Sequence, residues 1–459
     1  MSAPQETIER ALACARGDTI AIADEKSTAN LRWAGNTLTT NGVSTTRQLT
    51  VIAVAKGCAG VVSRAGVRDD QIEDVVRAAE KAAADGTPAE DAAPITGAEH
   101  NGLFSEKWDL APATTDIGIL QGFATALGET LREARAAGRK LYGFAEHEMT
   151  STFVGTSAGF RGRHDQPAGR VELNAKSDDM TRSAWAGVST RDFSDVDVAG
   201  MDTSLAERLD WAKRSVSLPA GRYETLMPPA AAADLLTYLY WTAGAKAAAE
   251  GRTVFSKAGG GTRVGERLSA LPVTLSSDPA LPGLQSAPFV IAHTSGQDRS
   301  VFDNGLPVAA TSWISGGDLC ALHSSRYSAS LAGLSATQAV DNLSFSLPGA
   351  SATLPDMIAS TQRGLLLTCL WYICDVDPQT LLLTGLTRDG VYLVENGEVT
   401  GAVNNFRFNE SPVGMLSRLA EVGVTERTLP REWGDYFNRA QIPPIRVEGF
   451  NMSSVSQAN

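Results

Sequence analysis

The sequence has 459 residues, 43% apolar and 20% charged, with a net charge of −12 and a pI near 5.0. Such a composition is globular and holds material for two or three domains of roughly 100–200 residues each; its acidity, with no local Lys/Arg run to offset it, argues against nucleic acid as a partner, because an acidic chain releases no counterions from a phosphate backbone. The five cysteines show no disulfide spacing, the start MSAPQETIERALACARGD lacks the basic and apolar stretches of a signal peptide, and no window of about 18 apolar residues could span a membrane, so a reduced cytoplasm is the expected compartment.

Ile8, Ala11, Leu12 and Ala15 at helical spacing predict a helix over 6–15, ended by Gly17. The stretch 19–65 reads as several strands, with turns expected at Gly35-Asn36 and Asn41-Gly42. A second helix is predicted over 69–84, capped by Asp69, with Ile72, Val75, Val76 and Ala79 on one face; a third runs over 116–137 and stops at Gly138. Strands then return through KLYGFAEHEMTSTFVGTSAGFRGRHD, GRVELNAKS and TRSAWAGVST. Residues 1–215 therefore read as an α+β domain of helices and hairpins. Pro228-Pro229 opens an Ala-rich helix predicted over 230–250, since proline's missing N–H is no loss in a first turn. Beyond Gly251 the punctuation at Pro272, Pro279, Pro282, Pro288 and Pro307 predicts mostly strand, with short helices near 325–331 and 412–422. Residues 216–459 are thus expected to form a mostly β domain entered by that helix, and the whole fold is expected to be α+β in two parts.

The stretch LLLTGLTRDGVYLVENGEVTGAVNNFRFNES, residues 381–411, reads as strands folded back at 385–390 and at Asn396-Gly397. Its last arm, NNFRFN, is rich in amides, which both donate and accept hydrogen bonds. Asn404, Asn405, Arg407 and Asn409 are the candidate substrate-binding residues: such an arm at a sheet edge could add an extended peptide by β-pairing, or could be an ordinary edge blunted by polar side chains.

Other candidates for chemistry are weaker. His147-Glu148 lacks the second His that a zinc helix places one turn on, and its segment alternates like a strand. Cys320 and His323 could share a helical face as a thiol–imidazole pair, but two groups without a third to orient them make no complete site. AGGGTRVGE lacks the Lys-Ser/Thr of a phosphate loop. Cys369 and Cys374 face opposite sides of any strand that holds both; Asp375 and Asp377, in phase, could pair as carboxylates or simply end a strand before Pro378.

The order of features in the second half carries a resemblance. After the Ala-rich helix come RTVFSKAGGGTRVGERL, then PVTLSSDPALPG, then SVFDNGLPVAATSWISGGDLCALHSSRYSASLAG, and finally GLTRDGVYLVENGEVTGAVNNFRFNES. This succession resembles the TldD/PmbA (TldD/TldE) metallopeptidase family over roughly residues 220–420; Ala402-Val403 stands where the family's closing element has Pro-Val. The first half is similar mainly in its helix–sheet order and in FVGTSAGFRG.

In that family the TldD-like half carries a His-Glu-x-x-x-His helix and a Cys near the C-terminus as zinc ligands, and the TldE/PmbA-like half lacks them. The helix that should hold the motif here, ADLLTYLYWTAGAKAAAEG, contains no His, and the tail GFNMSSVSQAN contains no Cys. The resemblance therefore implies a TldE/PmbA-like, non-catalytic subunit with no metal or catalytic residue of its own. Zinc is expected in a TldD-like catalytic partner, and a peptide or unfolded protein as substrate, for proteolysis or peptide maturation. Tyr238, Tyr240, Trp241, Trp371 and Tyr372 are the candidate interface anchors. The alternatives are an autonomous enzyme built on Cys320 and His323, and a peptide-binding scaffold homodimer.

Overall fold

The computed structural model describes residues 2–456. Helix α1 (Pro4–Cys14) leads into strands β1 (Asp18–Ala34), β2 (Thr37–Ala55) and β3 (Cys58–Ala65), followed by α2 (Ile72–Asp85). A short α3 (Asn101–Phe104) and α4 (Gln121–Ala136) precede β4 (Arg139–Thr156), β5 (Arg161–Ser177), β6 (Ser183–Thr190) and α5 (Val198–Trp211). Then come β7 (Ser215–Val216), β8 (Gly221–Met227), α6 (Pro229–Thr242), α7 (Ala245–Ala249), β9 (Thr274–Ser277), β10 (Thr311–Ser315), β11 (Asp318–Leu319), α8 (Arg326–Ala332), β12 (Leu343–Ser346) and α9 (Leu354–Ser360). The chain continues through β13 (Arg363–Leu367), β14 (Trp371–Asp377), β15 (Leu382–Leu386), β16 (Val391–Glu395), β17 (Glu398–Val403) and β18 (Phe406–Glu410). It closes with α10 (Pro412–Leu416), β19 (Leu419–Val422), β20 (Glu426–Thr428), β21 (Ala440–Ile442) and β22 (Ile445–Val455). At 24% helix and 38% strand the fold is α+β, with a helix-and-sheet first half and a β-rich second half.

The first sheet has the order β3-β2-β1-β4-β5-β6, antiparallel throughout. Alternation along β1 divides its faces. Ala21, Ala23, Ala29, Leu31 and Trp33 meet the helices: α1 and α2 at one end of the sheet, α4 and α5 at the other. Ile20 and Ile22 turn the opposite way, into a core shared with Phe289, Val301 and Phe302 of the second half. Helix α2 lies so close to β3 that a Cβ on Gly60 would stand 2.2 Å from the Ala79 carbonyl oxygen. The β1–β2 turn is Gly35-Asn36, both at positive φ as a two-residue hairpin turn requires. Asn41-Gly42 is not a turn: both residues lie inside β2, and the chain next reverses at Lys56-Gly57. Asp69 does not cap α2; its carboxylate accepts bonds from the Ser2 N–H and hydroxyl instead.

The second half holds two sheets, β11-β10-β9-β12-β21-β20 and β14-β15-β18-β22-β8-β13-β16-β17-β7, with β19 beside β22. Helix α6 is buried through Ala231, Ala232, Ala233, Leu235, Leu236 and Leu239, as a helix apolar all round must be. The Ala-rich segment is not one helix to residue 250. It breaks at Ala243-Gly244, where the chain bonds in parallel with His323 and where a Cβ on Gly244 would stand 2.1 Å from the Asp298 carboxylate. Asn396-Gly397 is a hairpin turn between β16 and β17, but β15 and β16 do not pair: β15 lies between β14 and β18, and β16 between β13 and β17. The helix expected over 412–422 stops at Leu416 and gives way to β19, and α5 and α9 were not legible as helices in the sequence.

Candidate functional site: a trench between the halves

Two neighbouring cavities of about 320 and 330 Å³ share Arg299, Ala339 and Asp341; the first lies at the junction of the halves and the second is lined by the second half alone. The first is walled by Thr150 and Thr152 of β4, by His164 and Gln166 of β5, and by the 287–308 segment; the second lies at the C-terminal end of α6, beside Tyr240 and Trp241. Bonds across the junction hold the walls together. His293 Nε2 lies 2.7 Å from Asp24, Gln166 donates to the Gln285 carbonyl at 3.1 Å, and Arg427 pairs with Asp195 at 2.6 Å.

At the shared stretch Asp341 meets Arg299 at 2.8 Å, and Arg439 Nε donates to the Asp341 carbonyl at 2.7 Å. Burial works against the Asp341 charge, yet Arg299 and Arg439 outweigh it and hold the carboxyl below its ordinary range. His323 is 6% exposed; its Nε2–H donates to the Tyr240 carbonyl at 3.0 Å, so Nδ1 faces Asp298 as a lone pair at 3.6 Å, beyond hydrogen-bond reach. Burial pushes the imidazole down and the Asp298 carboxyl up, so both lean toward their neutral forms. Tyr240 is locked as well: its hydroxyl accepts from the Val340 N–H and donates to the Val340 carbonyl, both at 2.8 Å, and burial raises its phenol far above the ordinary value. Outside it, Tyr238 and Trp241 pack on Trp433, and Trp241 on Phe437, as an aromatic shelf open to solvent at Trp241.

The structure separates most of the groups that the sequence suggested pairing. Cys320 is exposed and contacts the Asp318 carbonyl, whereas His323 points into the core; their segment is extended rather than helical, so they share no face. His147 is 2% exposed and spends both ring nitrogens on its own fold, at 2.8 Å from the Thr115 hydroxyl and 2.8 Å from the Arg191 carbonyl, while Glu148 pairs with Lys26 on the other side of β4. Cys369 is buried, with its thiol pushed up to about 11, and Cys374 is exposed. Asp377 holds a turn through the Gln379 N–H and the Thr380 hydroxyl. Gly259, Gly260 and Gly261 form an open loop at positive φ.

The amide-rich arm is not a sheet edge. β18 is bonded to β15 on one side and to β22 on the other, so its backbone is closed to an added strand. Asn404 Oδ1 accepts from the Leu218 N–H at 2.7 Å, Asn409 Oδ1 accepts from the Thr384 hydroxyl at 2.8 Å, and Arg407 extends to solvent; Asn405 accepts at its carbonyl from the Ser456 N–H at 2.8 Å. Of the expected anchors, Tyr240 belongs to the core, Trp371 lies under the Arg431 guanidinium, and Trp241 and Tyr372 reach solvent. Asp298, Arg299, Asp341 and Arg439 drew no notice in the sequence, because each stands in a loop or strand end without a motif and only the fold brings them together.

A fold of three sheets around a buried helix and a cleft between halves has known counterparts. A family model described as the PmbA/TldA metallopeptidase C-terminal domain matches residues 220–454, just over half of the chain. The chain belongs to that family. In structure it is similar to TldE from Thermococcus kodakarensis, with TM-score 0.80 and 18% identity, over 98% of this chain and 99% of that one. It is also similar to a Thermotoga maritima protein described as a candidate modulator of a DNA gyrase, with TM-score 0.76, 17% identity, and 97% and 99% of the two chains covered. A Bacteroides thetaiotaomicron protein of like description has TM-score 0.75, 15% identity, and 98% of each chain covered. At these identities the likeness defines the fold. A comparison with curated proteins gives no match.

The family's name implies a metal, and the residues of α6 do not fit one. Zinc takes neutral imidazole, thiolate or carboxylate. The middle of α6 offers Thr237, Tyr238, Tyr240 and Trp241, with the Tyr240 hydroxyl already bonded at both its donor and its acceptor side. Asp234, the helix's one carboxyl, is wholly buried; burial raises it well above its ordinary value, and it accepts from the Glu432 N–H. Among the described residues no group of three or more His, Cys, Asp or Glu side chains could hold a metal ion, and no helix is long and apolar enough to cross a membrane.

Proposed function

We propose that this chain is the TldE/PmbA-like, non-catalytic subunit of a zinc peptidase complex, contributing a wall of the chamber and surface for peptide or unfolded substrates in the cytoplasm. One observation carries the reading. The helix that corresponds by resemblance to the family's His-Glu-x-x-x-His element is filled with Thr237, Tyr238, Tyr240 and Trp241, and these serve packing and backbone satisfaction. The zinc and the general base then belong to a TldD-like partner. The aromatic shelf at Trp241, Tyr238 and Trp433, and the exposed Tyr372, supply apolar surface of the kind that anchors interfaces. Residues 1–215 and 216–459 would act as two parts around the trench. Arg407 and Asn409 would reach substrate through side chains only, Asn404 and Asn405 holding the arm in place. The test compares peptide cleavage by this chain alone, by a TldD-like chain alone and by the two together. Cleavage that requires both, or that the second chain raises, supports the proposal; cleavage by this chain alone overturns it.

A further inference from the structure

Strand β2 outruns its neighbour. β3 covers only Gln48–Ala55, and the Gly66 N–H just beyond it reaches the Arg47 carbonyl, so the part of β2 before Arg47 is bonded to β1 alone. The β1–β2 register slips once, between Arg32 and Trp33, and then holds without a break as Thr40–Thr46 face Arg32–Lys26. The outward N–H and C=O groups of Thr40–Thr46 have no protein partner among the described residues. Solvent reaches both faces of this stretch, and Val43 is 62% exposed.

Proteins ordinarily blunt such an edge with Lys, Pro, bulges or a covering element. TNGVSTT has no charge and no proline, and its register is regular. It is a ready template for an added strand.

We propose that this edge binds an uncharged peptide segment in extended conformation, through main-chain hydrogen bonds to Thr40–Thr46. Charge favours that class: TNGVSTT has no side chain to pair with a charged segment, and the net charge of −12 disfavours an acidic one. Size favours a peptide over a second copy. Leu38 and Val43 are the only large apolar side chains on the overhang, too little for the apolar core that a stable dimer of at least about 1,000 Å² requires. Strand addition draws its affinity from the backbone and needs no such core. The choice of a peptide as ligand rests on the function proposed above; the site itself rests on the free edge.

The test uses the full chain without a partner, so that loss of complex formation cannot be mistaken for loss of this site. The probe is a fluorescein-labelled, uncharged Thr/Val-rich peptide of about ten residues, followed by anisotropy. Neighbouring N–H groups point to opposite sides of a strand, so one of Ser44→Pro and Thr45→Pro removes an outward donor and the other breaks the β1 ladder. The outward variant should keep the parent melting temperature and weaken binding roughly ten-fold or more. A probe N-methylated at alternate residues should weaken likewise, and this decides the matter if both variants misfold. Three results would overturn the proposal: no saturable binding, binding that neither the folded proline variant nor N-methylation changes, or a dimer in sedimentation that the folded variant splits.

Discussion

Helix α6 and the β1–β2 overhang put the same kinds of group to opposite use. On α6, the Tyr240 hydroxyl and the aromatic rings are consumed by the fold: Tyr240 closes on Val340, and Tyr238 and Trp241 stack on Trp433. On β2, hydroxyl side chains line a backbone whose outward bonds stay open. On the function proposed above, a helix without zinc donors serves as scaffold, while binding would rest on main-chain groups left without partners. Side-chain chemistry is lost by almost any substitution of the donor; a backbone edge is lost only to proline, a blunting charge or bulge, a covering element or a change of fold.

The sharpest way to break this contrast is to truncate each side. Tyr240→Ala should lower the unfolding free energy by about 3–5 kcal/mol in chemical denaturation, because it empties a packed aromatic site and strands the Val340 groups. Val43→Lys on the overhang should stay within about 0.5 kcal/mol of the parent. Similar costs at both positions would mean that the overhang is packed in solution.

The buried histidines sharpen it further. His147→Ala should destabilise by about 1–3 kcal/mol, since it leaves the Thr115 hydroxyl and the Arg191 carbonyl without their partner, and it should leave metal content unchanged. About one zinc per chain, lost in this variant, would restore a metal role for His147.

Burial lowers the folded-state pKa of His323, and also of His147 and His164. Their stability contribution is therefore whole above the unfolded value of about 6.5 and declines as pH falls below it. Asp298 runs the other way: its raised carboxyl favours folding toward acid, so it offsets part of the decline. His323→Gln should flatten the loss of stability between about pH 6.5 and 5, read from denaturation midpoints. An unchanged slope would mean that His323 titrates in the folded protein as it does in the unfolded chain.

The smallest effects are expected on the amide-rich arm. Asn404→Ala removes the acceptor for the Leu218 N–H and should cost about 1 kcal/mol. Arg407→Ala should fall within about 0.5 kcal/mol. Neither should change strand addition of the uncharged probe peptide by the chain alone, because β18 has no free edge; a side-chain contact of Arg407 with substrate is expected only in the assembled complex. A loss of binding in Arg407→Ala at constant stability would move the docking surface from β2 to this arm.

What the sequence disclosed followed local chemistry. The Gly35-Asn36 and Asn396-Gly397 turns, the amphipathic α2 and the Pro-opened α6 each have a local cause, and each formed. Asn41-Gly42 carries the same turn chemistry and was overridden, because β1 continues opposite it and the ladder holds the pair extended. The break at Ala243-Gly244 could not be foreseen, since the groups the chain meets there, the His323 backbone and the Asp298 carboxylate, are distant in sequence. The arm at 404–409 looked like an edge because polarity is visible in a sequence and strand order is not. The trench has the same origin: Arg299, Asp341 and Arg439 become a site only when separate segments of the second half meet, and the free edge of β2 exists only because β3 is shorter.

The central claim is that this chain lends walls and surface to a catalytic site held by another chain. It is tested most directly by co-expressing the chain with a TldD-like chain, isolating any complex, separating the subunits without chelator and measuring zinc on each. The account predicts a stable heteromer with zinc on the partner alone. Stoichiometric zinc on this chain, or its recovery only as a monomer or homodimer, would contradict it.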